Sequence, residues 1–370
     1  MIKTRFSAFV RLFAFLLVPV CSANPLFAEI LSPQLSKITQ VAASADSAVV
    51  LNPGAEEPLL LLGSDVEKKL YLFRSSPKGV AKIGECPLLG HVWGATLYGS
   101  GADTKIVAAH GLGRGDLTPP LRIVSYPLSL LQSSPVKTFQ TERAQVNSFK
   151  LIDNKILLTY FVSKYESETG FLTPVTNDDW SYEKVLAVRM GTSSDAFKDS
   201  TIIGRMYGDS QSQDGDLLLK KGSAEPITLP SYRGVSSLAF IPGATKDSPQ
   251  IAIGDGWHSN YGQIAQARFS ILSPIPGTTR YALDLIHIFK NAYAVNRIIA
   301  LSNQATAPLL LVTDKELILA EPGKSWSFKP LYKQSRTDAV FDANLVRGDK
   351  INYEILISDG EISLNLLKLG

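Results

Sequence analysis

Hydrophobic residues along this 370-residue chain come in short runs rather than long helical stripes. No stretch sustains a 3.6-residue apolar period, so little helix is expected. One pattern recurs instead: an apolar strand, a turn rich in Gly, Pro, Asn or Asp, then a second, more apolar strand. Five segments follow it. They are Ser47–Leu51 with Leu59–Asp65, Ala95–Tyr98 with Ile106–His110, Ser237–Ile241 with Ile251–Asp255, Ile298–Leu301 with Leu309–Asp314, and Ala343–Val346 with Glu354–Asp359. Four of the second strands end in Asp. A looser sixth pair joins Phe149–Ile152 to Ile156–Phe161, and the turn Pro53-Gly54-Ala55 recurs as Pro242-Gly243-Ala244. Further strand-like runs follow each pair, such as Leu70–Phe73 and Val80–Ile83 after Asp65.

The repeating unit is therefore four short antiparallel strands, A to D, which is the signature of a β-propeller. Blades are expected to begin near residues 46, 94, 147, 201, 236, 297 and 340. The fold class is all-β, a seven-bladed β-propeller, with six blades as the alternative. The fourth blade is the weakest: Thr201–Gly204 and Asp216–Leu219 read as its strands A and B, and Ile227–Leu229 is only a stub. The last blade supplies strands A to C alone, and a bare outer edge invites aggregation. The segment from Ile30 to Ile38 is expected to add strand D there and close the ring.

Repeated apolar strands ending in Gly-Asp-Gly or Ser-Asp-Gly, here Gly254-Asp255-Gly256-Trp257-His258 and Ser358-Asp359-Gly360, resemble FG-GAP or VCBS-type repeat propellers. The resemblance implies an exported propeller. Those families often carry Asp-x-Asp-x-Asp-Gly loops that bind calcium. The nearest match here, Asp209-Ser210-Gln211-Ser212-Gln213-Asp214-Gly215-Asp216, puts Gln at an expected acidic position. Calcium needs several oxygen ligands on one loop, so a solvated turn stands beside the metal reading. No metal or cofactor is assigned.

The N-terminus changes the charge balance. Lys3, Arg5 and Arg11 precede and flank the apolar run Leu12–Val18, and small residues end at Ala23 and at Ala28. This is the pattern of a secretory signal peptide over residues 1–23, with cleavage at 28 as the other option. The run is too short to span a bilayer, so no transmembrane segment is expected. Residues 29–370 then form a single propeller domain, exported to the periplasm or the exterior. The chain holds 37 Lys+Arg against 34 Asp+Glu, and the three basic residues of the signal account for the whole excess. A neutral mature chain argues against nucleic acid as a partner. Cys21 would leave with the signal, so Cys86 would stand alone and reads as a small buried hydrophobe.

Candidate chemistry gathers in the loops. In a propeller the B–C loops and the D–A connections share one face. Blades six and seven have minimal B–C turns at Asp314-Lys315 and Asp359-Gly360. Long B–C loops are expected in blade two, through Gly111–Asp116, in blade three, from Ser163 to Glu183, and in blade five, through Gly256–Gly262. Long loops on a rigid scaffold are where function concentrates. His110, Arg114, Trp257, His258 and Tyr261 fall in or beside these loops, and His91, Arg143, Tyr232, Arg233, Tyr293, Arg336 and Asp338 in the D–A connections. These twelve form the candidate ligand-binding set. Arg forks match carboxylate, sulfate or phosphate, and the aromatic rings could stack on sugars. His287 lies on an outer strand and reads as structural.

Two functions follow. The first is an exported binding module whose loop face takes an anionic glycan, a peptide or a partner protein. The alternative is a polysaccharide lyase or hydrolase acting on acidic sugars. In it Arg143, Arg233 or Arg336 neutralises a carboxylate, His258 or His110 abstracts a proton, and Tyr261 protonates the leaving oxygen. The chain contains no Gly-x-Ser-x-Gly elbow, P-loop or His-Glu-x-x-His, so no catalytic spacing favours the enzyme.

Overall fold

A computed structural model describes residues 33–42, 45–111, 120–130, 133–176, 179–205, 217–231, 234–245, 248–255, 266–302, 304, 307–336 and 341–369. Seven four-stranded antiparallel sheets follow one another as the blades of a ring. Strand β1 (Gln34–Ala42) opens the chain. Blade one is β2 (Ser47–Val50), β3 (Leu59–Ser64), β4 (Lys69–Ser76) and β5 (Gly79–Pro87). Blade two is β6 (His91–Tyr98), β7 (Lys105–Gly111), β8 (Leu121–Pro127) and β9 (Ser134–Phe139). Blade three is β10 (Val146–Ile152), β11 (Lys155–Phe161), β12 (Glu166–Pro174) and β13 (Trp180–Arg189). Blade four is β14 (Gly191–Phe197), β15 (Ser200–Arg205), β16 (Leu217–Lys221) and β17 (Ile227–Leu229). Blade five is β18 (Val235–Thr245), β19 (Ser248–Asp255), β20 (Ala267–Pro274) and β21 (Tyr281–Phe289). Blade six is β22 (Val295–Ala300), β23 (Leu309–Thr313), β24 (Glu316–Glu321) and β25 (Ser327–Lys333). Blade seven is β26 (Phe341–Gly348), β27 (Asn352–Asp359) and β28 (Ile362–Lys368), completed by β1.

Ring closure follows the expectation, a few residues further along the chain. Gln34 pairs with Lys368 and Ala42 with Ile362, so the N-terminal strand covers the outer edge of the last blade. Lys37 and Glu361 pair across that join.

Burial explains the sequence pattern strand by strand. The second strand of each blade is covered on both faces by the adjoining blades, so it reads as a continuous apolar run. Every residue of Leu59–Ser64 and of Leu309–Thr313 is buried. The outermost strand has one face in solvent and alternates, as in β5 and β21. The core is divided into clusters that sit between blades, such as Leu61, Leu72, Ile106 and Tyr126 between blades one and two.

Strand A is bent at the same place in blades two to six. The register between strands A and B slips after Val92, Val146, Gly191, Val235 and Val295, a β-bulge at the equivalent place in each of these blades. A bulge turns the strand and re-aims its side chains. Here it seats an entry residue against the preceding blade. A Cβ added to Gly254, at the end of strand B in blade five, would lie 2.6 Å from Val295 Cβ. Gly204 meets Val235 of blade five in the same way. The glycine before the end of strand B is thus a close-approach residue.

Four expectations need correction. Blade four begins at Gly191, not near 201: Ser200–Arg205 is its strand B and Leu217–Lys221 its strand C. The missed strand A, Gly191-Thr192-Ser193-Ser194-Asp195-Ala196-Phe197, is polar because it packs against a polar seam. Blade three has no long B–C loop: most of Ser163–Glu183 is taken up by β12 and the start of β13. His91 does not precede strand A of blade two but begins it. Finally, Pro242-Gly243-Ala244 is not a turn like Pro53-Gly54-Ala55; it lies within β18, where the register slips between Ile241 and Thr245.

Candidate functional site

One ring face receives the entries to strand A and the connections from strand B to strand C. In blades six and seven the Asp at the end of strand B clamps the entry. Asp314 Oδ1 accepts hydrogen bonds from the backbone N–H of Tyr293 at 2.7 Å and of Ala294 at 3.2 Å. Asp359 Oδ2 accepts from Ser335 N at 2.7 Å, Ser335 Oγ at 2.6 Å and the Tyr332 hydroxyl at 2.9 Å. Burial alone would push the Asp359 carboxyl up. The bonds from Ser335, Tyr332 and the Arg336 backbone outweigh it and hold the group below its ordinary range. Asp255 ends strand B of blade five and is 1% exposed. The recurring Asp is a structural clamp in blades six and seven.

In blade two His110 stands near the end of strand B. It is 1% exposed, with Nδ1 3.1 Å from the Gly90 carbonyl oxygen and Nε2 2.9 Å from the Tyr126 hydroxyl. Burial pushes its pKa down, so the ring is neutral. A carbonyl only accepts, so Nδ1–H donates to Gly90 and Nε2 accepts from Tyr126. Both ring nitrogens are therefore engaged inside the blade. His91 points Nδ1 at Asp65 Oδ2, 3.4 Å away, and its ring meets Trp93 at 4.7 Å. His287 stacks on Phe328 of blade six with ring centroids 3.7 Å apart, a packing role.

The exposed surface of this face carries cations beside rings. Arg143 lies in the entry to blade three with its guanidinium 5.6 Å from the Phe161 centroid. Tyr293 is 45% exposed, and the Lys315 ammonium sits 4.2 Å from its ring centroid. Arg336 is exposed and packs close to Gly360, where an added Cβ would lie 2.8 Å from Arg336 Cδ. A further group escaped the sequence reading. Tyr165, 50% exposed in the tight turn between β11 and β12, has Lys164 Nζ 5.1 Å and the Arg189 guanidinium 5.8 Å from its centroid. The available signal was Ser163, whose Oγ accepts from Glu166 N at 3.2 Å and makes a local turn.

Three blades have a long interval of sequence between strands B and C: between β7 and β8, β15 and β16, and β19 and β20. Blade four therefore takes the place expected for blade three, and the calcium-like stretch 209–216 falls between its strands B and C in sequence. Arg114, Tyr232, Arg233, Trp257, His258, Tyr261 and Asp338 lie outside the described residues, as does that stretch. Among the described residues no three His, Cys, Asp or Glu side chains converge as a metal-binding group. No helix among them is long and apolar enough to cross a membrane.

No known sequence family matches the chain, and no curated protein does. Solved structures match its shape. The WD40 domain of Toxoplasma gondii coronin aligns with a TM-score of 0.56 at 11% identity, over 92% of this chain and 87% of that one. A chain in a crystal structure of the mitotic checkpoint complex aligns at 0.57 and 10% identity, over 97% and 98%. The WD40 domain of SCAP from fission yeast aligns at 0.50 and 10% identity, over 88% and 85%. At such identity the likeness establishes the fold alone: a seven-bladed propeller shaped like those of WD40 domains.

Proposed function

We propose that this protein is an exported binding module whose connection-bearing face takes an anionic ligand, an acidic glycan or an acidic segment of a partner protein. The observation that carries the reading is the half-exposed Tyr165 with Lys164 and Arg189 beside its ring. A ring flanked by cations offers a stacking surface and charge for carboxylate or sulfate together. Arg143 and the Tyr293–Lys315 pair extend the same chemistry around the face. Without its signal the chain is neutral, so such a patch would be local rather than part of an overall basic field. Export rests on the Lys3/Arg5/Arg11 and Leu12–Val18 pattern, and intact mass of protein recovered from the periplasm or medium tests it.

Titration with an oligogalacturonate and with a poly-glutamate peptide at low and high salt tests the ligand class. Binding to either should weaken as salt rises and fall at least tenfold in the Lys164→Ala/Arg189→Ala double variant. Equal affinity in wild type and variant, or no binding to either probe, would sink this reading.

A further inference from the structure

The opposite ring face holds a cavity of about 470 Å³ between blades four and five. Its apolar lining includes Phe197, Phe240, Tyr281, Pro249, Pro274 and Ile227. Its charged lining is Lys198 and Lys221 with Asp199 and Glu225. That volume and mixture, an apolar wall with a few polar groups, suit a small ligand.

An equivalent cleft elsewhere in the chain shows what fits. Blade three starts strand D with Trp180, paired with Pro174; blade five starts strand D with Tyr281, paired with Pro274. Trp180 is 3% exposed and meets Tyr98, the last residue of strand A in blade two, with ring centroids 4.8 Å apart. The counterpart of Tyr98 in blade four is Phe197, the last residue of its strand A. Between blades four and five a phenol, Tyr281, stands where the cleft between blades two and three has an indole, Trp180. The outer strand of blade four is also cut to Ile227–Leu229. Tyr281 and Phe197 therefore line a cavity where Trp180 and Tyr98 touch.

We propose that this cleft binds the aromatic ring of a tryptophan, supplied from outside the chain. The chain's own Trp180 supplies that group to the equivalent cleft between blades two and three. The rim complements a free amino acid in charge, with Lys198 and Lys221 for the carboxylate and Asp199 and Glu225 for the ammonium. The same ring could come from a residue within a peptide. This site lies on the face away from the connections and does not depend on the function proposed above.

Saturation-transfer NMR and calorimetric titration with L-tryptophan, N-acetyl-tryptophanamide and L-leucine test it. L-Tryptophan should bind at least tenfold more tightly than L-leucine. Loss of affinity in the capped amide assigns the free amino acid, and equal affinity assigns a residue within a chain. Tyr281→Trp should fill the cleft from within, raise Tm and lower tryptophan affinity at least tenfold. Ile227→Asp, at a position 40% exposed and so expected to leave folding intact, should lower affinity without raising Tm. No saturation transfer at millimolar tryptophan, or wild-type affinity in both variants, would overturn the proposal.

Discussion

Blades five and six meet through rings and aliphatic side chains. Phe269, fully buried, contacts Trp326 and Phe328, and Ile271, Val295, Leu309 and Leu311 continue the same cluster. Blades three and four meet through hydroxyls and amides. Thr159 Oγ1 donates to Ser194 Oγ at 2.7 Å, so the 2.8 Å contact with Thr169 Oγ1 is accepted by Thr159. Asn147 Nδ2 donates to the Gly191 carbonyl at 2.6 Å, and Ser148 Oγ to the Ser194 carbonyl at 3.1 Å. No cluster of buried hydrophobics spans these two blades among the described residues, whereas one spans each of the other six junctions. One ring thus holds two kinds of seam. Dispersion and burial are non-directional and tolerate small shifts. A hydrogen-bonded seam is directional and loses each contact outright when geometry fails.

The largest expected effect is on the apolar seam. Phe269→Ala removes a buried ring that touches blade six on two sides. It should cost about 3–5 kcal/mol, the usual range for a buried Phe with incomplete collapse of the cavity. Chemical denaturation reads it. A loss under 1 kcal/mol would mean that the seam closes around the gap and that the junction is softer than its packing implies.

The seam between blades six and seven mixes both kinds and responds to pH. Tyr332 of blade six stacks on Phe341 of blade seven and donates its hydroxyl to Asp359. The folded carboxyl sits below its unfolded value, so its contribution is complete above roughly pH 4. It is lost as pH falls through the folded pKa. Asp359→Asn should cost about 1.5–3 kcal/mol at neutral pH, the range for bonds to a charged group. The variant's stability should also fall less steeply than wild type below that point. Parallel pH curves for the two proteins would show that another carboxylate governs the acid limb.

How much of this was legible depends on which seam a strand faces. Strands packed on apolar neighbours announce themselves, as Leu59–Leu62 and Leu309–Val312 do, and the closing strand was found from the missing edge of the last blade. The start of blade four was missed because Gly191–Phe197 faces hydroxyls and carries Thr, Ser and Asp where other blades carry Val, Ile and Leu. Apolar patterning alone therefore places the start of this blade one strand late. The same slip turned Glu166–Pro174, with its polar Ser167 and Thr169, into part of a loop. The Asp at strand ends was visible as a repeat. Its role as a clamp was not, since the partners are backbone N–H groups that sequence does not distinguish. Trp180 falls within the loop expected from Ser163 to Glu183, although a large aromatic just after a Pro-containing turn is a signal for the start of an outer strand. The cavity between blades four and five is a difference between equivalent positions, Tyr281 against Trp180, and emerges only once the blades are in register.

The polar seam offers the smallest effect and the sharpest test. Thr159→Val keeps the shape and removes one hydroxyl, leaving the buried Thr169 and Ser194 hydroxyls short of a partner. That should cost ~1–2 kcal/mol, because an unpaired buried polar group keeps its desolvation penalty. Replacing all three together, Thr159→Val/Thr169→Val/Ser194→Ala, removes the unpaired groups as well as the bonds. The triple variant should be more stable than Thr159→Val alone, since apolar replacement of every partner is nearly neutral. It would also convert this seam towards the kind that joins blades five and six. Hydrogen exchange in β14 locates the effect: protection should drop in the single variant and recover in the triple. If the triple variant is instead the least stable, the hydroxyl chain contributes net stability beyond avoiding unpaired groups. The polar seam would then equal its apolar counterparts rather than being the first to open.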